Sequence, residues 1–277
     1  MLLATMTLLA RRHLLGMPFL RASHILFLSQ SARLPLVTAF SSTTRSTRLS
    51  MSSTTSSSFS PLDGGVIALN VKARVKPEHR EGLLDVLTID AKGTRNDEPG
   101  GLQFVIGQDV TDANTIFLHE QYKSMADFEY HQKTPHFQKV LSFLEASDPL
   151  EEPMMGNVYR CQHPPKEYLE TTSSTRYCLN VESSIKPELR DEFVELMTNH
   201  QLKSKQEPLC VQFDWGVSID DENTFYIHEE YVGNEEGKEG FLAHEASPHF
   251  AKFVKFNNEK QPYSKPQVVQ FFKLLPL

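Results

Sequence analysis

The feature that most limits what this chain can fold into is a long internal repeat. Asn70-Val71 followed by Lys76-Pro77-Glu78 returns as Asn180-Val181 followed by Lys186-Pro187-Glu188, an offset of 110 residues. Glu98-Pro99 and Phe104 return at an offset of 109 as Glu207-Pro208 and Phe213, and Phe128 returns at 113 as Phe241. The string from Thr115 to Tyr122, with Phe117, His119 and Glu120 inside it, is matched by the string from Thr224 to Tyr231, with Tyr226, His228 and Glu229. After each comes a histidine, then Thr134-Pro135-His136-Phe137 or Ser247-Pro248-His249-Phe250. A period near 110 is too long for a solenoid and has the size of a small domain, so the chain is expected to hold two copies of one fold. The extra residues of the second copy fall in the Gly- and Glu-rich segment 233–240, which reads as a surface loop.

Within each copy, period and punctuation predict the order βαββαβ. Residues 66–75 alternate, with Ile67, Leu69, Val71, Ala73 and Val75 on one face and Ala68, Asn70, Lys72 and Arg74 on the other, the pattern of a strand. Pro77-Glu78 opens a helix at its first turn, and Leu83, Leu84, Val86 and Leu87 supply its apolar side up to Gly93, where it is expected to stop. Gly100-Gly101 turns into a strand over 102–108, and Thr111 to Asn114 turn the chain into a third over 115–122. Ser124 with Asp127 reads as a helix cap, Thr134-Pro135 restarts a helix, and a last strand is expected over 155–161. This order predicts a ferredoxin-like α+β domain with both helices on one face of a four-stranded sheet. The bare face would expose a large apolar patch, and the second copy is available to cover it. The expected fold is therefore two ferredoxin-like domains, 63–161 and 175–277, joined by a linker at 162–174 and associated as an intramolecular pseudo-dimer. Ligand space is expected between the two sheets.

Residues 1–62 lack Asp, Glu and Lys, carry six arginines and end in a Ser/Thr-rich run. That is the composition of an organelle-targeting leader, plastid or mitochondrial; a start at Met51 would give a cytoplasmic protein. The leader's uncharged runs are too short to cross a bilayer as a helix, so no membrane association is expected. Without the leader, 22 basic residues face 35 acidic ones, a net charge of −13. Such a surface repels phosphate backbones and argues against a nucleic-acid partner. Cys161, Cys178 and Cys210 lack C-x-x-C spacing and read as reduced, buried thiols.

The ordered landmarks Asn70, Lys76-Pro77, Glu98-Pro99-Gly100, Phe117 to Tyr122 and His131 to Phe137, found again in the second copy, resemble the antibiotic biosynthesis monooxygenase domain family. Residues 64–160 resemble one full domain and 175–275 a more divergent second. The resemblance implies a dimeric α+β-barrel fold, here closed within one chain, and small-molecule chemistry: oxygenation of electron-rich phenols or quinols with O2 and without metal or flavin. Related domains also degrade haem or process other small molecules, so the fold does not choose the reaction.

Asn70 and Asn180 stand mid-strand, where an amide is disfavoured, and face away from the helix-packing residues toward the expected ligand space. Their position resembles that of the strand-one asparagine of haem-degrading family members, and a donor there could hold a phenolate or oxygen species; satisfying a neighbouring backbone group is the competing role. His131 and His244 are the candidates for proton transfer, because an imidazole accepts a proton near neutrality; bonding a free carbonyl at the helix break is the alternative. His136 and His249 follow a proline, where packing beside Phe137 or Phe250 competes with substrate contact. Phe104, Phe137 and Trp215 complete the expected substrate-binding set. Strand alternation puts Glu120 and Tyr122 on one face and His119 with Phe117 and Gln121 on the other, so they cannot share one cavity. The histidine spacing of five, with a proline between and no third ligand at compatible spacing, predicts no metal site. Haem is disfavoured too: the family's haem ligand position is Leu141 or Val254 here, and the single tryptophan, Trp215, lies in a strand.

The expected function is thus a cofactor-independent monooxygenase acting on a quinol- or phenol-like molecule, with further homo-oligomerisation left open. Repeat one, which keeps Gly100-Gly101 where repeat two has Leu209-Cys210, is expected to be the active copy if only one is. A non-catalytic ligand-binding or partner-docking barrel and an isomerase of a small carbonyl compound are the alternatives.

Overall fold

The computed structural model describes residues 65–162 and 176–276; the expected leader, and all of the linker except Gln162, lie outside the described residues. Repeat one runs β1 Ile67–Arg74, α1 Arg80–Asp97, β2 Gly101–Asp109, β3 Thr115–Tyr122, α2 Met125–His131, α3 Pro135–Ser147 and β4 Met155–Gln162. Repeat two runs β5 Tyr177–Ser184, α4 Arg190–Ser204, β6 Cys210–Ser218, β7 Thr224–Tyr231, α5 Lys238–Glu245, α6 Pro248–Lys260 and β8 Val268–Leu274. The caps are those the sequence announces: Ser124 accepts from the Asp127 amide and Thr134 from the Phe137 amide, with Pro135 opening α3. The segment 233–240 is a loop only in part, because Glu235–Gly237 form a 3-10 turn and α5 begins at Lys238.

One boundary differs for a physical reason. Gly93 does not end α1, which continues to Asp97. A Cβ built on Gly93 would lie 2.3 Å from the His136 ring, so the glycine sits inside the helix to make room for a packed imidazole.

Each repeat pairs its strands in the order 4-1-3-2, and the two sheets close into one eight-stranded barrel, β1-β3-β2-β8-β5-β7-β6-β4. The seams join the copies: Gly107 pairs with Leu274 across β2 and β8, and Tyr159 with Ser218 across β4 and β6. Such closure leaves no free sheet edge. The odd residues of β1, Ile67 to Val75, pack outward with Leu83, Leu87 and Ala91 of α1 and with Phe104, Ile116, Leu118 and Val140. Leu179, Val181, Phe193, Met197, Trp215 and Phe225 make the corresponding layer of repeat two. Full burial of each such side chain stabilises the fold by roughly 1.5–3 kcal/mol. Among the described residues, no helix is long and apolar enough to cross a membrane.

The even residues point into the barrel, and there the expected ligand space is occupied by side chains. His119 and His228 stack at 3.6 Å with an interplanar angle of 5°. Each bonds the asparagine of its own first strand, His119 Nδ1 to Asn70 Oδ1 and His228 Nδ1 to Asn180 Oδ1, both at 2.8 Å. Gln103 and Gln212 exchange reciprocal amide bonds of 2.7 and 2.8 Å, and Arg176 pairs with Glu230. Two outward apolar layers thus enclose a polar centre that is largely hydrogen-bonded within itself, as buried polar groups require.

Candidate functional site

Because Asn70 and Asn180 face the barrel interior, they do not meet His131 or His244. In β3 the residue next to His119 is Glu120, whose side chain projects to the opposite, helix-covered face. There lies the chemistry of each copy: between α1 and the α2–α3 break in repeat one, and between α4 and the α5–α6 break in repeat two.

In repeat one, His131 Nδ1 bonds Glu98 Oε1 at 2.8 Å, and Thr94 Oγ1 donates to the same oxygen at 3.2 Å. His136 Nδ1 bonds Asp90 Oδ1 at 2.7 Å, and its Nε2 lies 3.2 Å from Glu98 Oε1. His131 Nε2 lies 3.8 Å from Asp90 and 4.0 Å from Glu120, which accepts from the Tyr122 hydroxyl at 2.7 Å. Burial alone would discharge His131, yet Glu98, Glu120 and Asp90 raise its proton affinity above the ordinary value. Burial lifts Glu120 to about 7. Phe104 and Phe137 pack on the His131 ring, at 6.1 and 4.9 Å between centroids. This is a buried network of carboxylates and imidazoles, hydrogen-bonded through His131 Nδ1, His136 Nδ1 and Glu98 Oε1, with Glu98 Oε2 and His131 Nε2 left without a hydrogen bond.

Repeat two keeps the frame and changes its charge. His200 stands where repeat one has Asp90, and Ser204 where it has Thr94. Glu207 takes both histidines on one carboxylate: His244 Nδ1 at 3.0 Å and His249 Nε2 at 3.0 Å. Without the Asp90 carboxylate, burial dominates. It pushes His200 down to about 4 and His244 to about 3, helped by neighbouring imidazoles. His249 is lowered by burial and then by Lys203 and Lys252. Burial raises Glu207 to about 7 and Glu229 to about 8.

The second difference is access. A cleft of about 670 Å³ opens in repeat two, lined by Lys203, Glu207, Pro208, Leu209, His249 and Lys252 among others, within the usual size of a small-molecule site. In repeat one the imidazole of His136 rests against Gly93. The matching position is Lys203, whose Cβ forbids that pose, and His200 offers no carboxylate to hold the ring. Gly240 and Ala243 also line the cleft, where repeat one carries Asp127 and Tyr130. A Cβ on Gly100 would meet the Asp127 carboxylate at 2.2 Å, and one on Gly240 would meet the Leu209 Cβ at 3.0 Å. The pairs Gly100/Asp127 and Leu209/Gly240 are therefore a reciprocal exchange of bulk.

A model of the family described as antibiotic biosynthesis monooxygenase matches residues 66–141 and again 176–255. The chain belongs to the antibiotic biosynthesis monooxygenase family. Putative monooxygenase YcnE of Bacillus subtilis (strain 168) is 33% identical over 73 residues, covering 26% of this chain and 76% of that protein. The fold is shared with a putative monooxygenase from Fusobacterium nucleatum subsp. nucleatum, at TM-score 0.67 and 16% identity over 78% of this chain and 94% of that one. It is shared also with an anthrone oxidase-like protein, at TM-score 0.53 and 12% identity over 78% and 94%. Membership supports a monooxygenase-like role on small molecules.

Set against this monooxygenase-family frame, the candidate residues separate. His131, His136, Phe104 and Phe137 converge in the closed network of repeat one. His244 and His249 converge in repeat two, but only His249 reaches the cleft; His244 lies behind Glu207, 1% exposed. Trp215 is fully buried in the repeat-two core, 6.1 Å from Phe225, and is not a cleft residue. Asn70 and Asn180 belong to the barrel centre. Glu207 and its counterpart Glu98 are signalled in the sequence only by the Glu-Pro pair that recurs in both copies.

In three dimensions each histidine pair gains a third candidate ligand that its spacing in the sequence does not show. Asp90, His131 and His136, and likewise Glu207, His244 and His249, bring ligand atoms within 4.8 Å of one another, the carboxylate arriving from α1 in repeat one and from the turn after α4 in repeat two. In repeat two these groups are hydrogen-bonded together, and Lys203 and Lys252 line the same cleft, a setting that disfavours a divalent cation.

Proposed function

We propose that this chain is a cofactor-independent oxygenase that binds a small electron-rich phenol or quinol in the repeat-two cleft and passes the substrate's hydroxyl proton to Glu207. The observation that carries this reading is the placement of Glu207: a carboxyl titrating at about 7 in the wall of the cleft. A group that titrates near the working pH is well matched to general-base catalysis. A phenol ionises near 10, so transfer to Glu207 costs about 4 kcal/mol for a gap of about three units. Lys203 and Lys252 at the cleft wall offset part of it by stabilising the phenolate.

The phenolate then gives one electron to O2. The resulting superoxide and phenoxyl radical recombine at a ring carbon that bears hydrogen, the peroxide anion takes back the proton held on Glu207, and the hydroperoxide loses water. One oxygen atom stays on the ring as a quinone carbonyl and the other leaves as water. His244 and His249 act as positioning residues that hold the Glu207 carboxylate by hydrogen bonds. Repeat one, with its closed network, serves as the structural half of the pseudo-dimer.

Oxygen uptake with a panel of phenols and quinols tests the reading. Glu207→Gln is expected to slow the best substrate at least ~100-fold, the scale of a lost general base. Glu98→Gln, its counterpart in the closed copy, leaves turnover in place in folded protein. Equal loss in both variants, or no uptake by the unaltered protein with any substrate, would overturn it.

A further inference from the structure

We infer that the repeat-two cleft selects aromatic substrates that carry an anionic oxyacid group, a carboxylate above all, which Lys203 and Lys252 bind while the hydroxyl meets Glu207. The inference rests on the reading of this cleft as the substrate site. Both lysines line the cleft, and among the described residues neither side chain enters an ion pair or hydrogen bond, whereas eleven other lysine and arginine side chains do. Lys252 follows His249 by one turn on α6 and Lys203 follows His200 by one turn on α4, so each shares a helix face with an imidazole of the site. The two cations therefore bracket the Glu207–His249 pair from the two helices that form the cleft.

The pair is specific to the open copy. Lys252 has a counterpart in Lys139, but Lys203 replaces Gly93, so the substitution that dislodges the imidazole also delivers the second cation. The described chain is otherwise rich in carboxylates, so an anion is repelled over most of the surface and finds two cations lining one cleft here. The rest of the lining, including Pro208, Leu209 and Ala243, suits a flat hydrocarbon ring. A neutral phenol would satisfy that wall and Glu207 but leave both ammonium groups without a partner. A hydroxylated aromatic acid uses all three.

The test compares 1-hydroxy-2-naphthoate with 1-naphthol by calorimetry on the full chain, under argon. The unaltered protein is expected to bind the carboxylate at least about tenfold more tightly, the scale of a charge-assisted contact. Lys203→Met with Lys252→Met brings the ratio near one, and Lys139→Met leaves the ratio intact. A ratio near one in the unaltered protein, or a ratio unmoved by the double substitution, would overturn the inference. Failure of both probes to bind would overturn it together with the cleft as substrate site. A preserved ratio without oxygen uptake would leave anion recognition standing and remove only the oxygenation; oxygen uptake without the ratio would do the reverse.

Discussion

Replacing Gly93 by alanine tests whether that glycine exists to seat an imidazole. On helix propensity alone, Gly93→Ala in the interior of α1 should stabilise the protein by about 1 kcal/mol. The structure predicts the opposite sign. The new Cβ would stand 2.3 Å from the His136 ring, well inside contact distance, and the ring cannot swing aside without losing Asp90 at 2.7 Å and Glu98 at 3.2 Å. Both carboxylates are at least 97% buried at the side chain. Losing hydrogen bonds to two buried carboxylates costs about 3–5 kcal/mol at roughly 1.5–3 each, so the net effect is a loss of about 2–4 kcal/mol. Urea unfolding followed by circular dichroism should show the midpoint falling by roughly 1–2 M, given a slope of about 2 kcal/mol/M. A midpoint that stays or rises would refute the reasoning. The double variant Asp90→His, Gly93→Lys, which copies repeat two, should cost less than the sum of its parts by more than about 1 kcal/mol, because each change removes the same contact.

Other outcomes follow from the same geometry. Turnover should rise with pH through about 7 as Glu207 loses its proton and becomes an acceptor; a flat profile from pH 6 to 8 would exclude it as the base. Glu229, raised to about 8 by burial, binds its proton more tightly folded than unfolded, so its stabilising contribution is full below about 4.5 and lost as pH rises through 8. Glu229→Gln, which can still accept from Tyr231, should therefore stabilise the protein at pH 9 and not at pH 4, and a gain at both would contradict the burial argument. Asn70→Ala should cost about 1–3 kcal/mol by orphaning the His119 donor, with oxygen uptake retained by the folded fraction; loss of uptake without loss of stability would move Asn70 back among the catalytic residues. Exhaustive chelation should leave turnover intact, and a collapse restored by added metal would point to the Glu207, His244 and His249 group as a metal centre.

The amino-acid sequence by itself determined the repeat, the βαββαβ order and the two faces of each first strand. Those depend on periods of two and 3.6 residues, on Pro135 and Pro248 at helix starts and on the caps at Ser124 and Thr134, all readable within one or two turns of chain. It also brought His131, His136, His244 and His249 forward, and placed Glu120 and His119 on opposite faces. Tertiary structure decided everything that required knowing what lies across a gap. Asn70 and His131 look like partners along the chain, yet a sheet separates them, and the barrel closed by β2–β8 and β4–β6 pairing is filled where open space was expected. Glu207 joins His244 and His249 only because the end of α4 is packed against the α5–α6 break. The difference between the closed and open copies turns on a few small exchanges, Asp90 for His200, Gly93 for Lys203 and Asp127 for Gly240. None of these stands out in sequence, because the energy of a missing Cβ or carboxylate is set by the side chain it faces, and that neighbour is some thirty to forty-six residues away.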